Sequence, residues 1–199
     1  MEFADVVRSR RMTRNFEPRP VPGEVVDAVL DLARRAPSAG NSGGVEFLVL
    51  EGDDVGAYWE VTLAPERRAG FPWPGLLVAP VLVVPCVRPD AYLRRYSEPD
   101  KARTGLGADE ARWPVPYWWV DGGAVVQNLL LAATDAGLGA LFFGIFEHTG
   151  AVKARYGVPA ELHPIGAIAL GWPEEVQRPS RSAARVRPPL EAVVHRRRW

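Results

Sequence analysis

Hydrophobic positions along the chain follow two spacings, and the switches between them mark the elements. Three-to-four spacing over residues 2–9, with Phe3, Val6 and Val7 on one face, predicts a short helix. The same spacing returns after Pro22 as Val25/Val26, Val29/Leu30, Leu32/Ala33 and Ala36. Arg34 and Arg35 fall in its last turn, where cations suit the helix dipole, and Pro37 stops it. Pro37–Gly44 is then a turn of small residues. Apolar runs predict strands at Val45–Leu50 and over 80–87, the latter buried. A helix is expected over 55–63, and the charges, glycines and prolines of 89–116 predict short helices and loops.

Asp121 is placed as the N-cap of a long helix running to Asp135 and closed by Gly137. Its body, from Ala124 to Ala133, is apolar nearly all round, which demands burial on every side by its own domain or by a partner chain. Leu138–Phe146 and Pro164–Leu170 read as strands around a helix at 148–156. Beyond Gly171 the pattern dissolves into Arg, Pro, Ser and Ala, with a short strand expected at Leu190–Val194. The apolar end of this tail predicts that it docks. No repeat and no second domain is visible, so residues 1–199 are read as one domain.

Composition narrows the class. With 199 residues and 47% hydrophobic content the chain can bury a sizeable core, which sets disordered and fibrous classes aside. Net charge is zero but unevenly spread: residues 1–14 and 174–199 hold eleven arginines against five acids, leaving the middle with a surplus of six negative charges. The ends use arginine alone, whose planar fork grips phosphate or carboxylate in bidentate fashion. That favours a specific small anion over nucleic acid, for which no recognition module is present. Residues 69–87 form nineteen positions without a charge, yet Pro72, Pro74, Pro80 and Pro85 interrupt them, so no membrane span is expected. With no apolar leader at the start, a cytoplasmic protein is expected.

Several chemistries lack their residues. Cys86 is the one cysteine and sits in an apolar run, as a buried small hydrophobe. His148, His163 and His195 have no metal-ligand spacing, and neither a P-loop nor a serine elbow is present. The aromatic stretch Trp113–Trp119 suits core filling and a pocket wall equally.

Five segments, in order, carry a family resemblance. They are Arg10-Arg11-Met12-Thr13-Arg14-Asn15-Phe16, Ala36–Ser42, the Asp121–Ala133 tract with Gly137-Leu138-Gly139, Pro164–Pro173, and the tail Arg185–Glu191. Together they resemble the FMN-dependent nitroreductase family over nearly the whole chain. The resemblance implies an α+β fold, a small mixed or antiparallel sheet flanked by helices, in an entwined homodimer with a swapped C-terminal tail (176–199). It implies FMN held at its phosphate by Arg10, Arg11 and Arg14 with Arg185 and Arg187, and Met12 at a cofactor-binding position beside them. Pro37, Ser38, Ala39 and Asn41 would come from the partner, and the backbone of Gly144 and Ile145 would face the flavin. The family departs here at Met12, which replaces a serine, and at Gly43-Gly44-Val45, which replaces Gln-Pro-Trp. The family's ring-edge Asn and Lys have no counterpart here, and Arg67 and Arg68, in roughly that region, are candidates to replace them.

The implied activity passes electrons from NAD(P)H to a nitroaromatic or quinone-like acceptor by a ping-pong mechanism. No catalytic side chain is assigned, since the flavin carries the chemistry. Alternatives are flavin-dependent dehydrogenation or dehalogenation of a biosynthetic intermediate, and a flavin- or deazaflavin-binding protein with little turnover. A third is an arginine-tailed binder of nucleic acid or a membrane surface.

Overall fold

The computed structural model describes residues 1–177 and 180–199; Arg178 of the tail lies outside them, and Arg181 is described by its backbone alone. In chain order the elements are α1 (Phe3–Ser9), α2 (Gly23–Ala33), β1 (Val45–Glu51), α3 (Asp53–Thr62), α4 (Pro65–Arg68) and β2 (Val81–Val87). There follow α5 (Pro89–Tyr96), α6 (Tyr117–Asp135), β3 (Gly139–Phe143), α7 (Thr149–Tyr156), β4 (His163–Pro164) and β5 (Ala167–Gly171). The sheet runs β1-β2-β5-β3, antiparallel throughout, with β4 also pairing to β2. A parallel bridge from Met12 to Ala140 adds the N-terminal segment at the β3 edge.

Period-two alternation explains why this sheet is covered on both faces. In β2, Val81 and Val83 turn to the face covered by α2 and α6, where they meet Val26, Val29, Leu129 and Leu130. Leu82, Val84 and Cys86 turn to the opposite face, with Tyr58 and Trp59 of α3 and Val152 of α7. All seven β2 residues are buried, so the strand reads as one continuous apolar run. Burial also pushes the Cys86 thiol up to about 11, leaving it neutral and unreactive at physiological pH, in line with its role as a small hydrophobe.

Helix α6 ends as its sequence dictates. Gly137 takes φ 75°, Leu138 N–H donates to Ala133 O (2.8 Å) and Gly137 N–H to Thr134 O (3.1 Å), a paired closure that satisfies the last carbonyls. Its start differs from the expected one. The helix begins at Tyr117, so Asp121 lies inside it and caps nothing; its carboxylate is drawn into the core by partners distant in sequence. The aromatic stretch divides accordingly. Trp113 and Trp118 pack on Tyr92 in the core, whereas Tyr117 and Trp119 are exposed.

The tail holds a second correction. Leu190–Val194 is not a strand: residues Leu190–Ala192 form one 3-10 turn. A strand needs a neighbour to satisfy its backbone, and among the described residues this segment pairs with none. Val186 and Trp199 are 93% and 99% exposed, so the tail's apolar end is not buried against its own domain.

Candidate active site

Two cavities open at the β3 edge, and the chain segment 10–16 builds the first. Thr13 N–H donates to Ala140 O (3.0 Å), and Thr13 and Phe16 are buried against the sheet edge. An extended segment places alternate side chains on opposite sides, so anchoring Thr13 turns Met12 and Arg14 outward. The tail closes over them. Arg14 N–H and Asn15 N–H donate to Gln177 Oε1 (3.0 and 3.3 Å), Gln177 Nε2 donates to Asn15 O (2.8 Å), and Asn15 Nδ2 donates to Val176 O (2.9 Å). Gln177, which no sequence motif singled out, thus ties the two chain ends together.

The resulting cleft of about 850 Å³ is lined by Arg8, Arg10, Arg11, Arg14 and Arg187, and by no carboxylate among the described residues. Met12, Ser180 and Ser182 complete its rim. Arg11 Nη1 donates to Arg8 O and Arg10 O (2.5 and 3.0 Å), which folds it back onto its own segment. Arg10 Nη1 is buried with no hydrogen-bond partner among the described residues. A buried unpaired guanidinium N–H is costly, and an oxyanion relieves that cost. Arg187 lines the cleft; Arg185 is exposed and does not line it.

The second cavity, about 390 Å³, is flat-walled and aromatic. Trp59 and Phe143 are stacked 5.7 Å apart with planes 12° from parallel, and Tyr58 meets Trp59 edge-on at 5.1 Å. Phe71, Trp73 and Phe146 complete the walls, with Gly144 and Ile145 at the end of β3. Phe146 is unusual for a bulky residue: its φ is 50° and it is 81% exposed, with its ring against Gly144, where a Cβ would come within 2.5–2.8 Å. Gly144 therefore permits a ring that any side chain would displace. Arg14 borders both cavities, its guanidinium 5.5 Å from the Trp73 ring centroid and its Nη1 donating to Met12 O (3.2 Å).

Of the two ring-edge candidates, Arg67 is exposed, whereas Arg68 is half-buried and donates from Nε to Leu63 O (3.2 Å), a residue lining the aromatic cavity. Pro37, Ser38, Ala39 and Asn41 line neither cavity of their own chain. They form a turn clasped by α5 and α6 instead. The Gly43-Gly44 pair has a local cause: Gly43 takes φ 61°, and a Cβ on Gly44 would come within 2.5 Å of the Tyr92 ring and 3.0 Å of Arg88 O. Among the described residues there is no group of three or more His, Cys, Asp or Glu able to hold a metal, and no helix long and apolar enough to cross a membrane.

Comparison with known proteins matches this chain to a family. The Nitroreductase family model matches residues 7–172. A 4-nitrobenzoate reductase of Nocardioides sp. (strain LMS-CY) is 30% identical over 224 residues, covering 96% of this chain and 88% of the relative. A Methanothermobacter thermautotrophicus protein, provisionally named NADH dehydrogenase/NAD(P)H nitroreductase, is 26% identical over 88% of this chain and 79% of its own. Among solved structures, a nitroreductase family protein from Streptococcus pneumoniae TIGR4 superposes with a TM-score of 0.76 at 22% identity, covering 98% of this chain and all of that one.

Proposed function

The chain belongs to the nitroreductase family, and from that premise we propose that it is an FMN-dependent oxidoreductase moving electrons from NAD(P)H to a nitroaromatic or quinone-like acceptor. The observation that carries this reading is the junction at Arg14 between an arginine cleft and a flat aromatic cavity. FMN has the same two-part chemistry, a phosphate monoester of nearly two negative charges joined to a planar ring. When bound, FMN supplies the two-electron carrier that lets donor and acceptor use one site in turn, the ping-pong order.

The chain's own residues bind and orient. Arg10, Arg11 and Arg187 are assigned to the phosphate through charge-assisted hydrogen bonds, with Arg14 reaching both phosphate and ring and Met12 on the rim. The rings of the aromatic cavity offer flat surfaces to a flat ligand and exclude water, and the backbone of Gly144 and Ile145 is assigned to the ring edge. Arg185, exposed on the tail, is assigned to a phosphate contact only after the tail rearranges on a partner.

A homodimer completes the proposal. The outward stripe of α6 presents Val120, Gly123, Gln127 and Leu131 at helical spacing, and nothing lies within 4 Å of a Cβ built on Gly123. β1 pairs only with β2, so its other edge is open among the described residues. A second copy would cover the stripe and its tail would lie along such an edge, bringing Pro37, Ser38, Ala39 and Asn41 to the flavin of the other subunit. We assign the protein to the cytoplasm.

The direct test is spectroscopic. The purified protein should carry flavin bands that bleach on adding NADPH or NADH and return with a nitroaromatic or quinone. Arg10→Ala should bind FMN roughly 10- to 100-fold more weakly, the loss of about 1.5–3 kcal/mol from one charge-assisted bond. Bands without bleaching would reassign the protein as a flavin carrier, and no FMN binding at all would remove the proposal.

A further inference from the structure

The turn at residues 38–41 is held far more firmly than a surface turn requires. Gly40 and Asn41 take φ 63° and 58°, so two consecutive residues occupy the left-handed region, and at Asn41 that carries a steric cost. Two helices grip the 38–39 and 40–41 peptides, one through a carboxylate and the other through a guanidinium. Asp121 of α6 accepts, on one oxygen, the Ala39 N–H and the Tyr92 hydroxyl, each at 2.8 Å. Arg95 of α5 donates from Nε to Gly40 O (2.8 Å), while its other nitrogens grip Asp100 (2.8 Å twice) and Glu98 (3.2 Å). Tyr96 closes on Gly40, where a Cβ would come 2.8 Å from the ring.

Asp121 is 7% exposed, and both of its hydrogen-bond donors among the described residues are neutral. Burying a carboxylate without a cation is expensive, and an amide or hydroxyl would hold a turn at lower cost. The Tyr92 phenol is pushed up by burial and by this carboxylate, so it stays a donor across the physiological range. A carboxylate acceptor on the N–H of residue 39, opposed by a cation on the C=O of residue 40, fixes the 38–39 and 40–41 peptides, one on each side of the Ala39-Gly40 pair. The side chains so oriented are Ser38 and Asn41.

We propose that Asp121, with Arg95, is a positioning residue that fixes the 38–41 turn for the cofactor site of the partner subunit, so that its loss is felt in the other chain's site. This rests on the shared-site reading given above. It differs from a purely structural role in one respect, which is that the defect acts in trans.

Mixed dimers read that difference. Asp121→Ala homodimers should keep their dimeric state and far-ultraviolet spectrum but bind FMN about 10-fold more weakly, the scale of a charged hydrogen-bond network. Asp121→Asn, whose amide oxygen accepts both bonds, should return to within about 3-fold of the parent. Combined with Arg10→Ala chains, Asp121→Ala chains should regain one tight FMN site per dimer by titration, since one pocket then has both an intact turn and intact arginines. Unchanged affinity in Asp121→Ala, or no regained site, overturns the proposal. The control pair Asn41→Ala with Arg10→Ala separates the causes: if it regains a site and the Asp121 mixture does not, the positioning role alone falls. If neither pair does, the shared site falls with it. Should Asp121→Ala fail to fold, Arg95→Met carries the same two predictions from a less buried side chain, and parental affinity there overturns the proposal equally.

Discussion

The arginine cleft is built by the two chain ends from largely exposed side chains, whereas the aromatic cavity is built by α3, the 71–76 loop and the end of β3 from rings packed into the core. The cleft concentrates positive charge and leaves Arg10 Nη1 without a hydrogen-bond partner among the described residues. In the cavity, Trp59 and Phe143 stack on one another and Trp59 is 7% exposed. One region offers affinity with little rigidity, the other rigidity with little charge discrimination. A ligand spanning both draws its binding energy from the first and its orientation from the second. Removing a residue should therefore damage folding on one side and binding on the other.

The largest effect expected from that contrast is on stability. Trp59→Ala removes a buried indole from the core and should cost about 3–5 kcal/mol in urea unfolding. Arg11→Ala, on the cleft side, should stay within about 0.5 kcal/mol of the parent, as exposed substitutions do. Comparable losses for the two would erase the distinction between a structural cavity and a binding cleft.

An intermediate effect separates the two halves of the ligand. FMN affinity should fall by roughly 10-fold as salt is raised and the screening length contracts from about 10 Å at 0.1 M to about 3 Å at 1 M. Riboflavin, which has the ring without the phosphate, should bind more weakly than FMN and respond little to salt. Equal salt dependence for both ligands would mean that the arginines do not read the phosphate.

The same contrast explains what the amino-acid sequence makes legible. Arginine enrichment at both ends is a property of composition, so the arginine cluster is visible before any folding; Arg10, Arg11, Arg14 and Arg187 do converge. The expected bounds of β2 and α7 fall within a residue or two of the observed ones. The aromatic cavity leaves no such trace, because Trp59, Trp73 and Phe143 come from three separate segments joined only by the fold. Asp121 shows why local rules fail where tertiary contacts intervene. An aspartate ahead of an apolar run looks like a cap, but Tyr92 and Ala39, 29 and 82 residues away, claim its carboxylate, and the helix extends one turn further back to Tyr117. The Leu190–Val194 segment fails for the opposite reason, since strand-like composition needs an edge to pair with, and this segment pairs with none among the described residues.

The smallest effect is expected at Arg14, where the two regions meet, and it decides which of them this residue serves more. Its guanidinium lies 5.5 Å from the Trp73 ring centroid, within range of a cation–π contact, yet it also borders the arginine cleft. Arg14→Lys keeps the charge that a phosphate senses but loses the planar group that stacks on an indole and presents a flat face to a ring. A partly exposed cation–π contact is worth about 0.5–1 kcal/mol, so the ring end should weaken by roughly 2- to 5-fold. Because the charge survives, the phosphate end should change less than that. FMN and riboflavin should therefore lose affinity by the same small factor, leaving their ratio at the parental value in parallel titrations. Loss confined to FMN, with riboflavin untouched, would instead assign Arg14 wholly to the phosphate and leave the aromatic cavity without a cation of its own.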